Sequence, residues 1–334
     1  MKQGTRTRER WIEEIQESLE RAGFFVAVTH GVRPSSFDLA ARRDASLLLV
    51  KVLKNIDALD AEEANRLLDL GRLFPAIVLV VGQTSGAAEL SPGVVYTRYG
   101  VPIITEETLH EYLDKALPPF LYASPGGTFA RIDGDRLREL RLDRGLSLGT
   151  LAGVAGVSRR AIQLYEDGAG AEANVIERIE TYLGEPIVRP IELFAAIRSG
   201  RGREPAAKDE GKPDADAGPD RPRASTGDPL RDGVLQQLDG MGLEVTVTVR
   251  APFDAVAKTP DILLAAVGSL RSALHRAEVL HGIARVAEGH SMFIVREHVH
   301  RSAIAGMPIL SVTELRRHRD PDDLLEEIEE REGS

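Results

Sequence analysis

The chain has 334 residues, enough for roughly two or three domains with cores of their own, and its 43% hydrophobic and 28% charged residues are ordinary for a globular protein. It contains no cysteine, which excludes disulfides, zinc fingers and thiol catalysis. The net charge of −10 argues mildly against a nucleic-acid partner. That objection is local in nature, because many acidic side chains fall outside the central region, in residues 199–229 and in the tail from Glu326 to Glu332.

No apolar run reaches the roughly 18–20 residues that a membrane helix needs, and the longest, Ala76–Val81, suits a buried strand. The opening MKQGTRTRER is polar and lacks the apolar core of a signal peptide, so the expectation is a cytoplasmic protein with no membrane partner.

Residues 8–120 read as an α/β module. Trp11, Ile12, Ile15 and Leu19 recur at helical spacing up to Gly23. Strands follow at Phe24–Val28, Phe37–Ala40 and Leu47–Leu53, then a helix at Ala61–Leu73 with Ala64, Leu67, Leu68 and Gly71 inward. Strands at Ala76–Val81, Val94–Arg98 and Pro102–Ile104 lead to a helix at Glu106–Lys115, for which Thr105 with Thr108 supplies a cap. The alternation predicts a layered fold. Pro118–Phe129, with Pro-Pro and Pro-Gly-Gly, reads as a connector.

Residues 131–197 read as a central all-α helix-turn-helix domain. Asp133 or Asp135 caps its first helix. Leu151, Ala152, Ala155, Gly156, Val157, Ile162 and Tyr165 supply the pattern of two short helices crossing steeply: a small residue where backbones meet, a glycine for the turn, and apolar residues inward. Ile191–Ile197 reads as a short closing helix. Residues 199–229 are Gly, Pro, Ala, Asp, Arg and Lys with little to bury, which predicts a disordered linker.

Residues 230–330 resemble the first module. Gly242–Thr248 parallels Gly23–Thr29, Phe253–Lys258 parallels Phe37–Arg42, Leu263-Leu264 falls at the offset of Leu47-Leu48, and Gly306–Leu310 parallels Gly100–Ile104. The reading is a diverged second copy of one α/β module.

Ser158 is the natural N-cap of the second motif helix, 158–166, which would enter the major groove by its N-terminal end. Arg159, Arg160 and Gln163 are then offered to DNA, Arg suiting guanine O6/N7 or a phosphate and Gln suiting adenine N6/N7. Ser147 and Thr150, opening the preceding helix, suit phosphate contacts.

Residues 136–190 resemble a Cro/C1-type helix-turn-helix domain: Leu146-Ser147 with Leu151-Ala152 at its start, Gly156-Val-Ser-Arg-Arg-Ala-Ile162 at its turn, Tyr165-Glu-Asp-Gly168 at its exit. Leu148 departs from the pattern, which often has Gln there touching a phosphate. The wider arrangement, with YGVPIITEETL and ASPGGTFARIDGDRLRELR, is similar to an archaeal family of Cro/C1-type transcriptional regulators over most of residues 10–195. That resemblance implies transcriptional regulation without naming a target.

The flanking modules raise a second possibility. Asp38 and Lys51 lie on successive predicted strands, as the acid and lysine of restriction-endonuclease-like nucleases do. Mg²⁺ chemistry there needs a second carboxylate two residues before the lysine, where this chain has Leu49. In the second module Asp254 remains and Val267 aligns with Lys51. Both modules therefore read as degenerate, and no catalytic residue, metal or cofactor is expected. His290, His298 and His300 lack ligand spacing and read as surface histidines. Ser85-Gly86 lacks the pattern of a phosphate loop.

The reading favours a sequence-specific DNA-binding regulator acting as a homodimer on double-stranded DNA. The α/β modules would dimerise, sense a small-molecule effector or contact the transcription machinery. A helix-turn-helix-targeted nuclease and an interaction scaffold that has lost DNA are the alternatives. The scaffold predicts affinity indifferent to salt.

Overall fold

The computed structural model describes residues 7–32, 35–194, 226–258, 261–297 and 299–332. Those within Met1–Val52, Asn65–Val78 and Arg201–Ser334 form one compact unit, and those within Leu53–Ala64 and Leu79–Gly200 form another.

The first unit begins with α1 (Arg8–Arg21), capped by the Thr7 side chain, with Trp11, Ile12, Ile15 and Leu19 buried at the expected spacing. A meander follows: β1 (Phe25–Val28), β2 (Leu39–Arg43) and β3 (Ser46–Asn55), all antiparallel. In β3 Leu47 to Val50 and Val52 are all buried, so this strand has hydrocarbon on both faces. Helix α2 (Ala61–Leu73) has its predicted bounds, and it buries Leu70 more fully than Leu68.

In the second unit the continuation of β4 (Ile77–Ser85) carries the short β5 (Ala88–Glu89) as an antiparallel partner. β4 runs parallel to β7 (Val101–Ile104), and β7 pairs antiparallel with β6 (Val94–Arg98). Helix α3 (Glu106–Lys115) has the predicted bounds and the Thr105 cap. The expected connector is instead structured. β8 (Leu121–Ser124) and β9 (Gly127–Ile132) form an antiparallel hairpin, and β8 runs parallel to β6. Gly126 at φ 101° and Gly127 at φ 150° supply a turn that other residues resist, so the Pro-Gly-Gly sequence reverses a strand.

Helices α4 (Gly134–Asp143), α5 (Leu148–Ala155), α6 (Arg159–Glu166) and α7 (Ala173–Leu183) follow, α4 capped by Asp133. The region is not all-α. β10 (Gly170–Glu172) and β11 (Val188–Arg189) both pair antiparallel with β9. These strands close over one core that includes Ala130, Leu137, Leu151, Ile162, Ile179 and Ile187. Residues 191–194 are not helical as expected, and 195–197 lie outside the described residues.

Of the expected linker, 199–225 likewise lies outside them. Its last residues are already structural: Asp228 caps α8 (Pro229–Gly240), and Thr226 donates to Asp232. The first unit then resumes with β12 (Glu244–Val247), β13 (Ala255–Lys258), β14 (Ile262–Gly268), α9 (Leu270–Val286), β15 (His290–Val295), β16 (Ala303–Ile304), β17 (Met307–Ser311), α10 (Val312–Leu315) and α11 (Pro321–Glu332). The sheet order is β12-β13-β14-β15-β17-β16.

These elements reproduce the pattern of the N-terminal ones in detail. Each module opens with a helix and an antiparallel three-strand meander, and the Thr29 and Thr248 hydroxyls donate to the carbonyls of Phe37 and Phe253. Tyr99-Gly100 and Ala305-Gly306 both take positive φ ahead of a short strand. The register corrects one alignment. Asp38 N–H donates to Val50 and Asp254 N–H to Ala265, so Ala266, not Val267, stands where Lys51 stands. The separation from acid to ladder partner is one residue shorter in the second hairpin, Asp254 to Ala265 against Asp38 to Val50, and a one-residue slip exchanges the faces of a strand.

Within this unit α9 packs on β1 and β2. Arg42 Nε donates to the Val286 carbonyl at 2.5 Å and its Nη1 lies 2.9 Å from Glu288, which satisfies the C-terminal carbonyls of α9 with a cation. Phe74 meets Phe253 edge to face at 5.7 Å between centroids.

Candidate nucleic-acid interface

The geometry around α5 and α6 follows from small residues in particular places. Leu151, Ala155 and Ile162 are fully buried and Ala152 nearly so, which brings the two helices together. Val157 and Tyr165 pack against the same core while partly exposed. Gly156 ends α5 at φ 68°, a left-handed conformation that costs other residues about 1 kcal/mol or more.

Each predicted DNA-facing residue lies on the exposed surface of this pair. Ser158 caps α6, accepting the Ala161 N–H at 3.1 Å, and Arg159 and Arg160 are the first two residues of the helix. Gln163 is exposed one turn on. Neither arginine forms an ion pair among the described residues, so both guanidinium groups remain available at the positive end of the helix dipole. Ser147 caps α5 in the same way, accepting the Thr150 N–H at 3.0 Å, and its hydroxyl lies 2.9 Å from that of Thr150. The two serines thus stiffen the helix starts. Leu148 is partly buried against the core, where a longer polar side chain would have to turn outward.

Two features here escaped the sequence reading. A Cβ at Gly149 would lie 2.9 Å from Nε of Arg159, so that glycine makes room for the arginine to lie across the start of α5. Glycine in the first turn of a helix was the available signal. The second is a buried ion pair. Glu166, at the end of α6, takes Arg141 and Arg138 of α4 on its carboxylate. Burial raises its pKa, but the hydrogen bonds and charges of the two arginines outweigh it, and the carboxyl sits below its usual range. Arg141 is raised, first by its hydrogen bond to Glu166. Arg138 and Arg141 of α4 are thus taken up by Glu166, while Arg159 and Arg160 of α6 are exposed.

In the first unit, Asp38 is buried at the head of β2. Its Oδ2 accepts both the Val52 N–H at 2.8 Å and Nη2 of Arg8 at 2.7 Å. Asp254 repeats this with the Val267 N–H at 2.8 Å and Nη2 of Arg231 at 3.1 Å. Lys51 Nζ donates to the Ser35 carbonyl at 2.8 Å. Leu49 and its counterpart Leu264 are buried hydrocarbon. A divalent cation needs several oxygen ligands, and a lone carboxylate already tied to an arginine and an amide does not fit that need.

Among the described residues no group of three or more His, Asp or Glu side chains is placed to hold a metal. His300 is exposed as expected, His298 lies outside the described residues, and His290 departs from expectation. It is half-buried in β15 with Nδ1 3.2 Å from Glu332. Gly86 N–H is taken by Asp57 at 2.6 Å, a carboxylate where a phosphate loop would hold its ligand.

Fold and site together define a helix-turn-helix protein joined to nuclease-like α/β structure. Residues 134–189 match a helix-turn-helix domain family, and residues 8–119 match the PD-(D/E)XK superfamily domain. The chain belongs to the archaeal family whose members carry the name "Putative HTH-type transcriptional regulatory protein". It is 37% identical over 325 residues to the member from Halorubrum lacusprofundi, covering 96% of each chain. The member from Haloquadratum walsbyi is 35% identical over 327 residues, again covering 96% of each, and that from Methanosarcina acetivorans is 33% identical over 331 residues, covering 98% of each. No solved structure matches the chain. No helix among the described residues is long and apolar enough to cross a membrane.

Proposed function

We propose that this chain is a sequence-specific DNA-binding transcriptional regulator of Cro/C1 type, reading the major groove with the helix 158–166 and acting as a cytoplasmic homodimer on a two-fold site. The observation that carries the reading is the division of arginines: Arg138 and Arg141 of α4 are locked onto Glu166, while Arg159 and Arg160 stand without an ion pair among the described residues at the capped start of α6. In this reading Arg160 and Gln163 take base edges, Arg159 takes a base or a phosphate, and Ser147, Thr150 and Ser158 approach phosphates. Residues 131–197 are the reader, 199–229 a linker, and 8–120 and 230–330 two diverged copies of one module, serving assembly, effector sensing or contact with the transcription machinery.

The test is binding of wild type and Arg160→Ala to mapped genomic sites and to random duplex over a range of salt. A base-reading Arg160 loses about 1–3 kcal/mol on the specific site alone, and no loss on either DNA removes it from the interface.

The match to the PD-(D/E)XK superfamily favours a second reading, a nuclease targeted by the helix-turn-helix. It requires cleavage dependent on a divalent metal and lost in Asp38→Ala. A chain that cuts no DNA with any such metal sinks it.

A further inference from the structure

Beside Asp254 the first unit has a cavity of about 330 Å³, lined among others by Arg250, Asp254, Ser272, His275 and Arg276. We propose that it is a binding site for a phosphate-bearing ligand, the effector site of this regulator.

Arg231 and Arg276 flank the Asp254 carboxylate, Arg250 lines the same cavity, and the carboxylate is already satisfied. Asp254 Oδ1 lies 3.1 Å from Arg231, while Oδ2 accepts the Val267 N–H at 2.8 Å and lies 3.6 Å from Arg276. Its negative charge orients Arg231 and Arg276, and the cavity lining keeps an excess of positive charge, Arg250 and Arg276 against Asp254. Arg276 is largely buried and held by the Pro252 carbonyl, to which its Nε donates at 2.8 Å. Burial, its largest influence, pulls its pKa below the usual arginine value, so a bound anion would restore solvation that the fold has removed.

Arg250 sits at φ 54°, and its carbonyl is pinned by the Ser36 N–H at 2.7 Å. A bulky residue held in the left-handed region at the rim of a cavity is an outlier of the kind that clusters at ligand sites. Its side chain is exposed, with no structural partner among the described residues to explain the arrangement. Ser272 lies in the first turn of the 17-residue α9, whose dipole favours an anion, and His275 is fixed by its bond to the Gly31 carbonyl at 2.9 Å. Planar guanidinium forks suit phosphate oxygens, and a cavity near the lower end of the range of roughly 300–1,000 Å³ for ligand pockets has room for a phosphate with a small organic group. The cavity is lined by Asp254, the counterpart of Asp38, and also by Gly31 and Val32 of the first module.

The effector role rests on the regulatory reading, whereas phosphate binding stands without it. The experiment is calorimetric titration of the full chain with inorganic phosphate, with a nucleoside monophosphate and with a DNA duplex, for wild type, Arg250→Gln, His275→Gln and Arg160→Ala. One site per chain is expected, weakened at least about tenfold by Arg250→Gln, with the unfolding midpoint unchanged because the bond to Ser36 is made by the main chain. His275→Gln keeps the bond to Gly31 and tests the lining with the fold preserved. Arg160→Ala must bind phosphate as wild type does, even if the DNA reading fails. A free phosphate that titrates identifies a soluble ligand. If only duplex affinity falls in Arg250→Gln, the phosphate is that of the DNA backbone. Absence of both effects, or wild-type binding by Arg250→Gln, overturns the proposal.

Discussion

Arg141 grips Glu166 through two hydrogen bonds, Nε to Oε1 at 2.5 Å and Nη2 to Oε2 at 3.0 Å, joining α4 to the end of α6 across 25 residues of sequence. The Glu166 side chain is 3% exposed, so this pair sets the pose of α6 from inside the core. Removing one partner of a buried pair strands the other charge, at a cost of about 3–5 kcal/mol. Glu166→Ala is expected to fall near the low end, since Arg138 and Arg141 reach solvent more easily. Equilibrium urea unfolding checks it, and a loss under about 1 kcal/mol would show the pair to be dispensable.

Gly134 tests the same junction through packing. A Cβ there would lie 2.3 Å from the Glu166 carbonyl oxygen, which is backbone and cannot swing aside. Gly134→Ala should destabilise by about 1–3 kcal/mol although alanine is the better helix former. An unchanged unfolding midpoint would mean that α4 and α6 have room between them.

Gly149 gives the opposite expectation. Its added Cβ would meet only the guanidinium end of Arg159, which is flexible. Gly149→Ala should raise stability by up to about 1 kcal/mol through helix propensity while displacing Arg159. Weaker binding to a mapped site together with a higher unfolding midpoint is the expected pair of results. Unchanged binding would show that the arginine does not need this position.

Asp38 is expected to behave as a structural acid. Asp38→Asn keeps a carbonyl for the Val52 N–H and loses the ion pair with Arg8, whereas Asp38→Ala loses both. Unfolding measurements should rank them wild type, Asn, Ala, with Ala lower by about 2–4 kcal/mol. Equal stability for all three would return Asp38 to the list of residues kept for chemistry.

Glu314 links stability to pH. Burial pushes its carboxyl up, but bonds from the Ser311 hydroxyl and amide and from Arg331 outweigh it and bring the pKa from 4.5 down to about 2. A group depressed in the folded state stabilises fully above its unfolded pKa and loses that contribution as pH falls toward its folded value. Glu314→Gln should be less stable than wild type at about pH 6, and the gap should close between about pH 4.5 and 2. A gap that stays constant over that range would remove the carboxylate as its cause.

Much of the site was legible because it rests on local rules. Ser147, Ser158, Thr105 and Asp133 cap the helices where a hydroxyl or carboxylate precedes an amphipathic run. The bounds of α2 and α3 followed from periodicity alone. What stayed hidden depends on residues far apart in sequence. Pro118–Phe129 has the composition of a connector, and only the pairing of Leu121 with Val94 and Ala130 makes it a strand. Arg138 and Arg141 resemble any other surface arginines until Glu166 is placed beside them.

The nuclease-like acid makes the same point about alignment. Counting residues put Val267 opposite Lys51, and the ladder put Ala266 there, because hydrogen-bond register and not sequence offset decides which side chain shares a face.

By itself, then, the sequence determined the helix-turn-helix, with Arg159, Arg160 and Gln163 on its exposed face, and the helix–strand order of the first α/β module. Each is written in short-range periodicity and turn chemistry, which few residues suffice to specify. Only the tertiary structure decided that Arg138 and Arg141 of α4 are spent on Glu166, that Asp38 and Asp254 each bind an arginine and a strand amide, and that Arg231 and Arg276 converge on Asp254. Those outcomes are set by burial and by which charges meet once water is excluded, and neither is a property of any local stretch of chain.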